Sequence, residues 1–552
     1  MSCGIRSPGK LAISGPMVLS GGDGRVLQPN GGRVLFTSGI GDDAGMRRCP
    51  RPLLGFCLFL PGAFAQAGDA PPAFPGAEGF GAVASGGRGG QVHYVTTLDP
   101  DPSGTVPGSL NHALRQSGPR YVLFKVSGVM HGIAKIVHGD VTIAGQTSPG
   151  GVIVRGLVCD GHYERNDCDN LIVRHLRLRP GWNQALPPGG ERLDDGLRLD
   201  GIERFIFDHV SIAHAVDEAV QVSWASQGTI QRSLIAETVG DHADRGGMLL
   251  NYSHPEHPQD QLSILKNLWY RIGGRLPEIS CEASGYDDEP GSAADCQARR
   301  LDLEVANNHY FDPGFLLWYN RDVDQNAALG PYRLNLNLVN NDMRLRDDFP
   351  YGFALHDLLD VADNQLFVSG NRLSRYPGLF DYALFYCCND FPDAAPNTDL
   401  GTAQRLMVRH AHGDVDYIAT PSLRDALLAD SGAYPVDPMD RRIRANVASG
   451  IIDPTPHDTP LANDAFALDF SPAAPPPAPL DSDQDGMPDA FELLHAALGL
   501  NPAVADHNGS ALSVPLTGIA GYTNLEVYLN LLAEGRVAEA GSRLFGDGFE
   551  SH

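Results

Sequence analysis

Charged side chains that could carry chemistry crowd into one stretch of the chain, from Asp194 to Pro277. Two acidic pairs come first, Asp194 and Asp195 in ERLDDGLRLD and then Asp217 and Glu218 in AHAVDEAVQV. Bases follow, with Arg245 in DHADRGGMLL and Lys266, Arg271 and Arg275 in ILKNLWYRIGGRLPEIS. Paired carboxylates are hard oxygen donors and suit a cation such as Ca²⁺. Guanidinium and ammonium groups grip an anionic substrate or stand beside a proton that moves. Acids on two turns of the chain beside bases on the next two would form one cleft. His175 and His209, close by in sequence, read as corner residues of a stack and not as catalytic bases.

A second constellation lies near the C-terminus. Asp481, Asp483, Asp485, Asp489 and Glu492 occupy positions 1, 3, 5, 9 and 12 of an oxygen-rich loop, with Gly486 at position 6 and the Met487 carbonyl at position 7. Oxygens at that spacing wrap one Ca²⁺, and the loop is similar to the thrombospondin type 3 and EF-hand calcium modules. Asp506, Asn508 and Glu526 would supply a second, degenerate site.

Elements must hold these groups in place, and from about Leu171 to Ser374 one pattern recurs. A short apolar run leads to a corner of Asn, His or Ser, and a second run alternates apolar with polar. IVRHLRLRP, FIFDHVSIA, TIQRSLIAE, SILKNLWYR, LEVANNHYF, NLVNNDMRL and LFVSGNRLS repeat it at intervals of roughly 24 to 40 residues. Asn at corners tolerates left-handed backbone and can bond to the corners above and below. The Asn-Gly and Asp-Gly hairpins of a sandwich are scarce here, so a solenoid of parallel strands is predicted.

The ends and the composition bound the rest. Residues 1–45 read as a non-native or disordered leader and 46–65 as a signal peptide, with a basic start at Arg47 and Arg48, an apolar run and Ala63-Phe64-Ala65 as the cleavage site. Residues 66–470 form the solenoid domain, 471–480 a proline-rich linker, and 481–552 the calcium-loop module and tail. Export to the outside or the cell surface follows, and no run is long enough to span a bilayer. A formal net charge of -26 argues against nucleic acid, and an acidic polymer would need a local patch of Arg, Lys or metal in order to dock. Disulfides Cys159–Cys168 and Cys281–Cys296 are expected, with Cys387 and Cys388 unassigned.

Taken in order, AFPGAEGFGAVASGGRGG at Ala73, VLFKVSGVM, VTIAGQTSPGG, IVRHLRLRPG, DDGLRL, FIFDHVSIAHAVDEAV, GGRLPEI and VANNHYFDPG resemble the polysaccharide lyase family that contains the pectate lyases, over roughly residues 73 to 375. The resemblance implies an all-β, right-handed parallel β-helix that acts as a monomer. It also implies cleavage of polygalacturonate by β-elimination, with calcium bridging protein carboxylates and substrate uronate. Asp195 and Asp217 match the family's calcium ligands, Arg275 in Arg275-Leu276-Pro277 matches the base, and Arg245 falls near the residue that grips a uronate. Asp194 and Glu218 would complete the metal site, and Lys266 and Arg271 would contribute to substrate binding. Gln221 stands where a further carboxylate is found in the family, and Glu278 and Ser280 where an arginine is common.

Two other classes fit a β-helix. A glycoside hydrolase would use two of these carboxylates as acid and base, but the Gly-His-Gly and Arg-Ile-Lys segments expected of one are missing from the sequence. A non-catalytic carbohydrate-binding solenoid would keep the calcium and lose the turnover.

Overall fold

Short apolar runs become strands here because each is covered on both faces, as Arg120–Phe124 and Leu171–Arg174 are along their whole length. The computed structural model describes residues 70–181, 184–239, 246–280, 295–296, 298–314, 316–319, 333–349, 363–385, 403–470 and 474–535. The strands assemble into three sheets of eleven, nine and seven strands. Neighbours within each sheet run parallel, so the chain coils as a parallel β-helix. One coil runs through Glu203–Asp208 in the first sheet, Ser211–Ala213 in the second and Val220–Ser223 in the third, and Ser226–Gln231 opens the next. Inward side chains such as Phe207, Ile212 and Val222 fill the bore as one continuous core.

Corners between the first and second sheets divide the expected work between adjacent residues. One takes the left-handed conformation, as do His175, His209, Lys266, Asn307 and Asn340 at φ 55, 53, 56, 55 and 53°. Where the next residue is Asn, it builds a ladder. Asn267 Nδ2 donates to Asn308 Oδ1 at 3.1 Å, Asn308 to Asn341 at 3.1 Å, and Asn341 to Asn371 at 2.9 Å. His175 and His209 stack with ring centroids 4.9 Å apart, as their corner positions led us to expect.

Outer faces decide where a site can form. Segments flanking the repeat cover the first sheet. Residues from Ala73 to Ala84 lie on it so closely that a Cβ on Gly81 would come within 2.2 Å of the Phe205 carbonyl oxygen. Residues 487–532 bury Met487, Phe491 and Leu525 against Tyr121, Leu123 and Ala144. The second sheet is covered by the helix Pro438–Ser449, whose Met439, Ile443 and Val447 pack on Leu234, Leu268 and Phe311. That helix starts at the Asp437 N-cap and stops at Gly450, a sequence signal outside the repeat. Asp437 and Asp440 also neutralise the buried Arg177 and Arg179 of IVRHLRLRP at 2.7–2.9 Å. Among the described residues, no core cluster lies on the outer face of the third sheet.

Cys159 and Cys168 are bonded. Cys296 is also disulfide-bonded, while Cys281, Cys387, Cys388, Arg245 and the leader lie outside the described residues. No helix among the described residues is long and apolar enough to cross a membrane.

Candidate active site

The third sheet begins, coil after coil, at the residues picked out for chemistry. Asp195 precedes the strand Leu197–Asp200, Asp217 and Glu218 precede Val220–Ser223, and Arg275 precedes Glu278–Ile279. Backbone bonds lock the coils in step. Gly196 donates to the Glu218 carbonyl at 3.0 Å, Val220 to that of Gly247 at 3.0 Å, and Met248 to that of Arg275 at 2.6 Å. Parallel register thus converts a sequence spacing of tens of residues into contact.

Asp195, Asp217 and Glu218 each offer an oxygen within 4.8 Å of the others. Asp195 accepts the Glu218 N–H at 3.2 Å and is 4% exposed. Burial first, and then the carboxylates of Asp217 and Asp200 against a partial offset from Arg198, push Asp195 up to about 8. A buried carboxylate that resists ionisation, with two more carboxylates in reach, fits a cation that would complete the group. Arg275 already supplies one positive charge from the side. Its Nη1 is paired with Glu218, its Nε donates to Glu278 at 2.8 Å, and its backbone is left-handed at φ 56°. Glu278, read from sequence as a departure, is therefore the buried group that orients Arg275. Its spacing three residues away was the available signal. Gln221 Nε2 donates along the sheet to Asp200 Oδ1 and Ser223 Oγ, 3.3 Å from each.

Three expected participants are elsewhere or act differently. Lys266 occupies a left-handed corner on the far side of the coil, where its Nζ is held by Glu78 at 2.5 Å. Arg271 is 1% exposed and spends its guanidinium on the Thr455 and Pro456 carbonyls at 2.8 Å. Neither group can reach the cleft, because burial and these partners fix both on other faces. Asp194 is exposed, and it is its carbonyl that works, accepting the Val216 and Asp217 N–H groups at 2.7 and 3.1 Å.

The C-terminal loop gathers Asp481, Asp483 and Asp485 within one reach, and Asp485, Glu492 and Asp506 within another. Asp506 was assigned from sequence to a second site, but the fold brings it into this one. Asp489 is not among the clustered oxygens. Its carboxylate accepts the backbone N–H and the hydroxyl of Ser482, both at 2.7 Å, and so braces the loop from outside. The second site falls apart in the same way, since Asn508 donates to the Gly90 carbonyl at 3.0 Å and Glu526 caps its own helix and pairs with Arg88 at 2.8 Å. Both carboxylate oxygens of Glu492 and of Asp483 are buried without a hydrogen-bond partner. Burial, then Asp485 and Asp483, push Glu492 up to about 8, and burial, then Asp485 and Asp481, push Asp483 to about 6. Orphaned hard oxygens in such a field fit Ca²⁺.

Fold and site together define a parallel β-helix whose third sheet carries three carboxylates and an arginine along its leading edge. Over 220 residues the chain is 39% identical to a probable pectate lyase C of Aspergillus fumigatus, covering 39% of this chain and 47% of that protein. It therefore spans about half the length of that relative. A probable pectate lyase C of Emericella nidulans is 28% identical over 473 residues, 83% of this chain and 92% of that one. Among solved structures the thermostable pectate lyase PL 47 is similar at a TM-score of 0.40 and 12% identity, covering 67% of this chain and 99% of its own. No protein-family model matches the chain.

Proposed function

We propose that this chain is a secreted pectate lyase that cleaves de-esterified polygalacturonate by β-elimination, with calcium as its cofactor. The observation that carries this reading is the meeting of Asp195, Asp217 and Glu218 with Arg275 at one edge of the third sheet. Similarity to the two fungal pectate lyases supports it.

Asp195, Asp217 and Glu218 would hold the calcium, which when bound draws electron density from a uronate carboxylate and acidifies the C5 proton. The remaining work belongs to the side chains. In β-elimination the base takes the C5 proton, a C4–C5 double bond forms, and the C4–O bond breaks. Arg275 is the candidate base; its guanidinium lies between Glu218 and Glu278, and a guanidinium must give up a proton before it can accept one. Glu218 turning toward a metal would leave Nη1 of Arg275 unpaired beside the substrate while Glu278 keeps Nε fixed. Positive charge nearby then disfavours the charged guanidinium, so turnover is expected to rise toward alkaline pH. In the C-terminal loop Asp481, Asp483, Asp485, Glu492, Asp506 and the Met487 carbonyl would hold a second, structural calcium.

Ultraviolet absorbance of polygalacturonate treated with the chain tests the reading, with calcium and again with chelator. A calcium-dependent rise reports the unsaturated product. New reducing ends without absorbance would instead assign Asp195 and Asp217 to hydrolysis. Binding without cleavage would leave a carbohydrate-binding solenoid.

A further inference from the structure

A cavity of about 530 Å³ opens on the second sheet, away from the three-carboxylate edge, between coils His309–Phe311, Asp342–Arg344 and Arg372–Leu373, the helix Thr420–Ala429 and the end of the helix Pro438–Ser449. His309, Asp342 and Arg372 are register partners on successive strands and form one row. Asp342 lies 3.1 Å from His309 Nδ1 and 3.8 Å from Arg372 Nε. An ionised Asp342 is an acceptor only, so His309 Nδ1 is the donor of that pair and Nε2 is left to bond elsewhere. His309 is 1% exposed, and Nε2 has no partner. A buried imidazole nitrogen lining a cavity without a hydrogen bond calls for a polar group from outside the chain.

The rest of the lining narrows the chemistry of that donor. Arg344 spends Nε and Nη1 on the Gly450 and Leu345 carbonyls. Arg372 and Arg424 have side chains 47% and 46% exposed, Arg424 pairing through Nε and Nη2 with the exposed Asp425 at 3.0 and 2.9 Å. Among the described lining residues, Asp342 is the one carboxylate against three guanidinium groups, in a chain of net charge -26. Phe311 and Val447 supply apolar wall, and Phe380 stands at the rim, 56% exposed. Guanidinium groups for carboxylates, an unsatisfied imidazole nitrogen for a hydroxyl, and an aromatic ring for the C–H face of a pyranose are what a sugar acid requires.

We propose that this cavity binds a short uronate oligosaccharide, as a second carbohydrate site separate from the candidate active site. The choice of uronate rests on the reading of the chain as a pectate lyase. The test is calorimetric titration of trigalacturonate, in chelator, into the full chain carrying Arg275→Ala, so that nothing is turned over. Saturable binding is expected, weakened about tenfold or more when Arg372→Ala and Arg424→Ala are added, as loss of charge-assisted bonds requires. These two substitutions in an otherwise unaltered chain are expected to leave initial cleavage of polygalacturonate unchanged. No saturable binding, equal affinity in the variant, or equal binding of inorganic sulfate or a neutral trisaccharide would each overturn the proposal. If the unaltered chain cleaves no uronan while the cavity still binds one, the activity reading fails and this one stands. Cleavage without binding at the cavity gives the reverse.

Discussion

Arg275 is held by two carboxylates of different duty. Glu278 orients it, whereas Glu218 belongs to the metal group and is shared with it. Arg275→Ala should therefore lower kcat by about a thousandfold, with KM little changed, because proton transfer alone is lost. The same variant should bind Ca²⁺ more tightly than the unaltered chain, since Glu218 no longer has an internal competitor. Steady-state kinetics and calorimetric titration read the two effects separately, and a variant that loses calcium affinity would contradict the sharing. Asp489 offers a sharper contrast. Asp489→Asn should leave calcium binding at the C-terminal loop nearly intact, and Glu492→Gln should remove it, because Glu492, unlike Asp489, has buried oxygens awaiting a partner.

At the scale of elements, the solenoid depends on register, and the asparagine ladder fixes register where loops vary in length. Asn308 receives Asn267 from the coil before, donates to Asn341 on the coil after, and also bonds the Ile264 carbonyl at 2.9 Å. Asn308→Ala strands those buried groups and should destabilise the chain by about 2 kcal/mol in denaturant unfolding, within the usual range for orphaned buried polar atoms. Phe491, 1% exposed between the C-terminal loop and the first sheet, tests the docking of that segment. Phe491→Ala should cost about 3 kcal/mol, and an unchanged melting profile would show that the segment adds nothing to the stability of the coils.

Calcium and pH act on the molecule as a whole. Asp195 and Glu492 are pushed up to about 8 and Asp483 to about 6, whereas the unfolded chain releases these protons near pH 4. Between those values the metal-free native state binds more protons than the unfolded state, so its stability falls as pH rises from about 4 to about 8. Calcium binds the ionised carboxylates and should reverse the trend, stabilising more at pH 8 than at pH 5. Melting temperatures in chelator and in calcium at the two pH values check this, and identical pH profiles with and without the metal would refute it.

Local spacing determined a good part of this protein. The repeat announced parallel strands, Arg275-Leu276-Pro277 and the acidic pairs marked one edge of a sheet, and the loop from Asp481 to Glu492 marked a cation site. Those signals are legible because each is written within a dozen residues, in periodicity or ligand spacing. Tertiary structure alone decided which charges face each other. Lys266 and Arg271 are as near Arg275 in sequence as any candidates, yet one corner and one strand turn them to other faces. Asp506 joins Glu492, and Glu278 clamps Arg275, because folding sets proximity by coil register and docking, and side chains only tens of residues apart can end on opposite sides of the same coil.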